Sequence, residues 1–216
     1  MEQVTFPTSK TARFYRLGEA THDVRTCWLA LHGYGQLAAR FIRRFDAVLD
    51  GQTVVVAPEA LSVFYTDAGG SQTGATWMTR EHRLDDISDN LAYLDFVKER
   101  AFNLLHPECQ IIALAFSQGC ATLMRWILHA RPPLKALVLY AGNIPDDLPY
   151  AAHREYLRSF PTYVTYGSTD QYLQSDRLPH FKEILEYSGL DIHYHVFEGG
   201  HTVNREVLAH LKSIIE

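Results

Sequence analysis

The stretch Gln110-Ile111-Ile112-Ala113-Leu114-Ala115-Phe116-Ser117-Gln118-Gly119-Cys120-Ala121-Thr122-Leu123-Met124-Arg125-Trp126 decides how the rest of the chain is read. It begins as an apolar run of strand length and continues as an apolar helix that starts on small residues. Between the two lies Phe116-Ser117-Gln118-Gly119. A serine pinched between strand and helix has its side chain lifted above the sheet edge, and the next backbone N–H faces whatever the serine attacks. Ser117 is therefore a candidate nucleophile.

Working outward, strands and helices alternate on both sides of this unit. Thr11 to Leu17 alternates loosely as an early strand. Thr26 to Leu31 and Thr53 to Ala57 are apolar enough for strands covered on both faces. Between them Leu37, Phe41, Phe45, Val48 and Leu49 recur at helical spacing. Leu84, Ile87, Leu91, Leu94, Val97 and Ala101 form a second stripe. After Arg131-Pro132-Pro133 come a strand over Leu134–Tyr140, a short helix near Ala151–Arg158 and a strand over Thr162–Tyr166. A helix from about Asp176 to Tyr187, a strand over Asp191–Phe197 and a final helix with Val203, Val207, Leu208, Leu211 and Ile214 complete the chain. This alternation predicts an α/β fold, a mostly parallel sheet with helices on both faces, in one domain spanning residues 1–216. Periodicity fails from Pro58 to Arg80, which reads as an irregular loop around Gly69-Gly70-Ser71-Gln72-Thr73-Gly74. Long irregular segments in compact domains are often functional.

Composition narrows the function. A net charge of −5 over 216 residues argues against nucleic-acid binding, which needs a basic stripe. The two local basic clusters, Arg40-Arg43-Arg44 and Arg80-His82-Arg83, read as solvated helix faces. Cys27, Cys109 and Cys120 form no CxxC pair and lie in or beside apolar runs, so they read as buried free thiols in a reducing compartment. No apolar run approaches the ~20 residues of a membrane span, and the first residues lack a signal-peptide pattern. The expectation is a cytoplasmic protein without stable membrane insertion.

In an open parallel sheet, functional groups collect beyond the carboxyl ends of strands. Four sites there carry reactive side chains: His32-Gly33-Tyr34, Ser117, Asp170 and His201. A serine hydroxyl is a weak nucleophile that needs a base in hydrogen-bond reach, and the base needs a carboxylate to hold its tautomer. The order Ser117, Asp170, His201 supplies all three. Asp176 and Glu198 are alternative acids, the first read as starting a helix, the second close in sequence to His201. His180 and His210 compete as bases from predicted helices. His193 and His195 share one strand face, but no third metal ligand lies nearby.

His32-Gly33-Tyr34-Gly35, Phe116-Ser117-Gln118-Gly119, Gly167-Ser168-Thr169-Asp170 and Gly199-Gly200-His201 resemble the motifs of the phospholipase/carboxylesterase family of serine α/β-hydrolases, which includes acyl-protein thioesterases. The resemblance runs from about Leu29 to Ile214 and implies the α/β-hydrolase fold without a separate lid domain. It further implies Ser117 as nucleophile, Asp170 as acid, His201 as base, and the backbone N–H groups of Tyr34 and Gln118 as an oxyanion hole. By the same resemblance Trp77 and Met78 line an acyl pocket; Tyr140 and Tyr172 are further candidates for it. His32 is expected to shape the oxyanion loop, and Cys120 to pack the elbow helix.

Three positions depart from the family. Ala115 stands where the elbow has its first glycine, Gln36 where an acidic residue follows the first motif, and Gln171-Tyr172-Leu173 where an Asp-Pro-like stretch follows the acid. The implied reaction is two-step acyl transfer from a small carboxylic ester or thioester, with no cofactor or metal. A lysophospholipase or acyl-protein thioesterase is the alternative within enzymes, and a non-catalytic ligand-binding protein of the same fold is the alternative outside them.

Overall fold

A computed structural model describes residues 1–173 and 178–216. Seven strands form the central sheet: β1 (Phe14–Leu17), β2 (Thr26–Leu31), β3 (Thr53–Pro58), β6 (Gln110–Phe116), β7 (Ala136–Tyr140), β8 (Pro161–Gly167) and β9 (Asp191–Phe197). Their spatial order is β1-β3-β2-β6-β7-β8-β9. All neighbours are parallel except β1, which runs antiparallel to β3 at the edge. β2, β3 and β7 are buried at every position, as their unbroken apolar runs require of strands covered on both faces.

The helices are α1 (Ala38–Phe41), α2 (Arg83–Phe102), α3 (Gln118–Ala130), α4 (Arg154–Leu157), α5 (Leu178–Ser188) and α6 (Arg205–Ile215), with 3₁₀ turns at Ile42–Val48 and Tyr150–His153. The order runs leftward from β2 to β3 and rightward from β3 through β6 to β9. Right-handed crossovers therefore put α1 and the Ile42–Val48 turn on one face, and α2, α3 and α5 on the other. α6 returns to the first face and packs on the Ile42–Val48 turn, while α2 packs on α3. Arg205 Nε bonds Asp46 Oδ1 at 2.7 Å, and Arg44 Nη1 bonds the Val203 carbonyl at 3.1 Å. Arg40, Arg43 and Arg44 are all exposed, as a solvated face requires, with Arg44 alone of the three using its side chain to tie this face to the loop before α6.

Several expectations need correcting. The early strand begins at Phe14, not Thr11. Its partner there is Pro58, the last residue of β3, so there is no strand left to pair with earlier residues. The predicted helix over Leu37–Leu49 is one α turn followed by a 3₁₀ segment. Side chains three and four apart bury equally well in either. The Pro58–Arg80 segment contains an antiparallel hairpin, β4 (Ser62–Tyr65) with β5 (Thr73–Thr76). Cys109 is half-exposed rather than buried. The expected helix start at Asp176, and Asp176 as an alternative acid, lie outside the described residues. Among the described residues no helix is long and apolar enough to cross a membrane.

Candidate active site

The turn from β6 into α3 holds Ser117 at φ 53°, ψ −120°, a conformation unfavourable for a residue with a Cβ. Its neighbours enforce it. The Ser117 N–H is held by the Tyr140 carbonyl at 2.9 Å, and the Ser117 carbonyl accepts from Cys120 N–H at 3.0 Å. Gly119 lets α3 start hard against the end of β2, since a Cβ there would sit 2.7 Å from the His32 carbonyl oxygen. Ala115, one position before the elbow phenylalanine, is fully buried, and its carbonyl accepts from Cys120 Sγ at 3.1 Å. The extra methyl is absorbed in the core.

His201 and Asp170 reach Ser117 from the ends of β9 and β8. Ser117 Oγ lies 2.9 Å from His201 Nε2, and His201 Nδ1 lies 2.7 Å from Asp170 Oδ2. The other carboxylate oxygen accepts the Tyr172 N–H at 2.9 Å. Asp170 has no exposed side-chain surface, so its charge is confined to these partners. Gly167 allows the acid turn and the histidine turn to touch: a Cβ there would lie 2.1 Å from the Gly199 carbonyl oxygen. Backbone bonds Ser168 N–H to Phe197 and Thr169 N–H to Gly199, at 2.8 and 2.9 Å, tie the turns together. The imidazole of His201 is flanked by the rings of Phe116 and Tyr172, with centroids 4.7 and 4.6 Å away.

The loop after β2 brings a second backbone donor near the elbow. His32 is fully buried; its Nε2 accepts the Ala60 N–H at 3.1 Å, so its Nδ1 carries the proton and donates to the Gly33 carbonyl at 2.8 Å. Burial pulls its pKa down to about 4, partly offset by the Gly33 bond, and keeps the ring neutral. Gln36 Oε1 accepts the Gly33 N–H at 2.9 Å, so an amide oxygen stands where the resembling family has a carboxylate. The hairpin braces the same loop through Gly35 N–H to the Ala75 carbonyl and Ala75 N–H to the Gln36 carbonyl, both 2.9 Å. Among the described residues neither Tyr34 N–H nor Gln118 N–H has an intramolecular acceptor. Such a set of groups can do nucleophilic acyl chemistry: a serine, a histidine to take its proton, a buried carboxylate behind it, and free backbone donors beside it.

The family model described as serine hydrolase (FSH1) matches residues 24–207. The chain belongs to that family of serine hydrolases. No curated protein sequence matches it. Among solved structures it is similar to a carboxylesterase from Mesorhizobium loti, with TM-score 0.71 and 17% identity over 94% of each chain. It is also similar to Zea mays acyl-protein thioesterase 2, with TM-score 0.68 and 14% identity over 95% of this chain and 100% of that one. A phospholipase/carboxylesterase from Dyadobacter fermentans gives TM-score 0.68 and 18% identity over 97% and 98%. These likenesses bear on the fold, which is of the α/β-hydrolase type. The phospholipase/carboxylesterase resemblance read from the motifs is thus met among the structural neighbours of an FSH1 serine hydrolase.

Of the residues expected to line an acyl pocket in this serine hydrolase, Trp77 and Tyr140 are buried behind the site. The Trp77 indole N–H donates to the His32 carbonyl at 2.8 Å, and the Tyr140 hydroxyl accepts the Asn204 N–H at 3.1 Å, three residues beyond His201. Both support loops and present no surface to a substrate. Tyr172 is exposed beside His201, Tyr34 is exposed with its ring tilted against that of Phe64, and Met78 is half-buried at the wall of a groove. All three thiols have their pKa raised by burial, Cys120 to about 12 and Cys109 to about 11, so none is poised as a thiolate.

Sequence reasoning missed the side chain of Gln118. Its Oε1 accepts the Trp77 N–H at 3.1 Å, and its Nε2 donates to the Met78 carbonyl at 2.9 Å. It therefore stitches the elbow to the strand end of the hairpin. The only signal for this was the amide itself, a side chain able to pair with one N–H and one C=O at once.

Proposed function

We propose that the chain is a serine esterase that hydrolyses carboxylic esters, and thioesters of similar shape, through an acyl-enzyme on Ser117. The observation that carries this reading is the continuous line from Ser117 Oγ to His201 Nε2 at 2.9 Å and from His201 Nδ1 to Asp170 Oδ2 at 2.7 Å. His201 takes the serine proton as Ser117 attacks the carbonyl. Asp170 keeps the proton-bearing nitrogen of His201 turned away from Ser117 and stabilises the imidazolium. The oxyanion is received by the N–H groups of Tyr34 and Gln118, where one donor is typically worth roughly 100- to 1,000-fold in rate. His201 then protonates the leaving alcohol or thiol, and water activated by the same histidine releases the acid.

Membership of a serine hydrolase family weighs against the non-catalytic binding role. The lysophospholipase or acyl-protein thioesterase variant is carried by one neighbour named as a thioesterase, and long acyl chains are its diagnostic substrates. A fluorophosphonate probe should label Ser117, and Ser117→Ala should lose both labelling and p-nitrophenyl ester turnover while circular dichroism stays unchanged. A folded protein that is unlabelled, or a variant that keeps substantial turnover, overturns the reading.

A further inference from the structure

Beside the elbow, on the α2–α3 face, runs a groove of about 460 Å³ lined by Met78, Arg80, Arg83, Ala121, Arg125 and Ile144, among others. Its wall begins at Ala121, one helical turn beyond Ser117, and reaches Arg125, about 12 Å along the axis from the serine. Met78, whose carbonyl is bound by Gln118, and Asn143, next to the glycine packed on the Ser117 carbonyl, close it at the serine end. His201 comes from the loop that leads into α6, the helix packed on the other face of the sheet from α2 and α3. A group entering the groove is therefore attached to the acyl side of a scissile ester, since the leaving group must face the histidine that protonates it.

The near end of this groove is apolar and the far end is cationic. Three guanidiniums, Arg80, Arg83 and Arg125, meet two carboxylates, Asp146 and Asp147. Asp147 bridges Arg83 Nη2 at 2.9 Å and Arg125 Nη2 at 2.7 Å. Arg125 is only 12% exposed, and its buried Nε has no acceptor among the described residues. Arg80 is exposed and makes no ion pair among the described residues. An unpaired arginine and the guanidinium of Arg125, whose one ion-pair partner is Asp147 among the described residues, line the same groove and offer N–H groups suited to one further carboxylate. The Arg80-Arg83 pair, read from sequence as a solvated face, thus belongs to a groove. Ser117 itself does not line the groove, which is joined to the elbow through Met78, whose carbonyl binds Gln118. A larger hollow of about 1080 Å³ between residues 5–14 and α2 includes none of Ser117, Gln118 or Met78.

We propose that this groove selects esters whose acyl group ends in a carboxylate: monoesters of dicarboxylic acids, with the free acid held by Arg80 and Arg125. The inference rests on the acyl-enzyme reading above. The test compares p-nitrophenyl monoesters of dicarboxylic acids of graded length with neutral p-nitrophenyl alkanoates matched in length, and with esters carrying the carboxylate on the leaving alcohol instead. The expected result is a kcat/KM ratio favouring the acyl-side anion by about tenfold or more at one chain length. The ratio should fall as salt is added and drop toward one in Arg80→Gln. Arg125→Met should do the same, with its melting curve checked because the residue is nearly buried. A ratio at or below one at every length, a preference only for the leaving-group anion, or a ratio unmoved by Arg80→Gln overturns the proposal. Binding of graded free dicarboxylates to Ser117→Ala, measured by calorimetry, gives a readout independent of turnover. Arginine-dependent binding without ester hydrolysis would keep the groove's role and sink the esterase, and hydrolysis without anion preference would do the reverse.

Discussion

The buried imidazole of His32 ties folding stability to pH through the loop that carries Tyr34. In the native protein burial pulls its pKa down to about 4, while an unfolded chain takes up the same proton near 6.5. Between those values the unfolded state binds more protons, so stability rises with pH across that window. The contribution is complete above pH 6.5 and is lost as pH falls toward 4. Two and a half pKa units correspond to about 3 kcal/mol in all, of which about 2 kcal/mol disappears between pH 7 and pH 5. The structural event is the loss of Nε2 as acceptor for the Ala60 N–H, because a protonated ring has no lone pair to offer. His32→Gln keeps an acceptor but cannot titrate. Urea unfolding of both proteins at pH 7, 6 and 5 should therefore show the wild type losing about 2 kcal/mol more than the variant. Comparing the two cancels other groups, including His195, whose pKa is lowered by burial and by nearby His210. Parallel losses in the two proteins would refute the assignment of His32 as a neutral, loop-holding residue.

Three further outcomes are expected. Asp170→Asn should lower kcat about ten-thousandfold with little change in KM, because an amide favours the wrong tautomer of His201; near-normal kcat in ester assays would shift the acid to another residue. Gln118→Ala should cost about 1–3 kcal/mol in urea unfolding, since the Trp77 N–H loses its acceptor and the Met78 carbonyl keeps only the Thr76 hydroxyl as donor. An unchanged midpoint would show that the hairpin needs no such tie. Gly119→Ala should reduce both ester turnover and melting temperature, since the new methyl meets the His32 carbonyl oxygen at 2.7 Å; a variant normal in both would mean that α3 shifts without consequence.

How far the sequence could be read depended on where the information lay. The buried strands were legible because Thr26–Leu31 and Thr53–Pro58 advertise their burial in unbroken apolar runs. The positions of Ser117, Asp170 and His201 were legible because each follows a strand. The β4–β5 hairpin was not. Thr73-Gly74-Ala75-Thr76 offers small side chains with no alternation, and its main partner beyond β4 is the backbone of the loop after β2. Gly74 is packed so closely on Gly35 that a Cβ would lie 2.1 Å from its carbonyl oxygen. A contact made by the absence of a side chain leaves no periodic trace. The burial of Trp77 and Tyr140 was hidden for a related reason: an aromatic with one polar group suits a wet pocket wall and a bonded core site equally well.

The backbone at Ser117 carries a further consequence. A positive φ at a residue with a Cβ costs of order 1–3 kcal/mol, and here it is imposed at the reacting residue itself. Glycine would relieve that tension and alanine would not. Folding and chemistry therefore pull on this one position in opposite directions, and a population of variants selected for heat resistance alone would gain by discarding the serine. Persistence of serine through such a selection would require turnover to be selected alongside it.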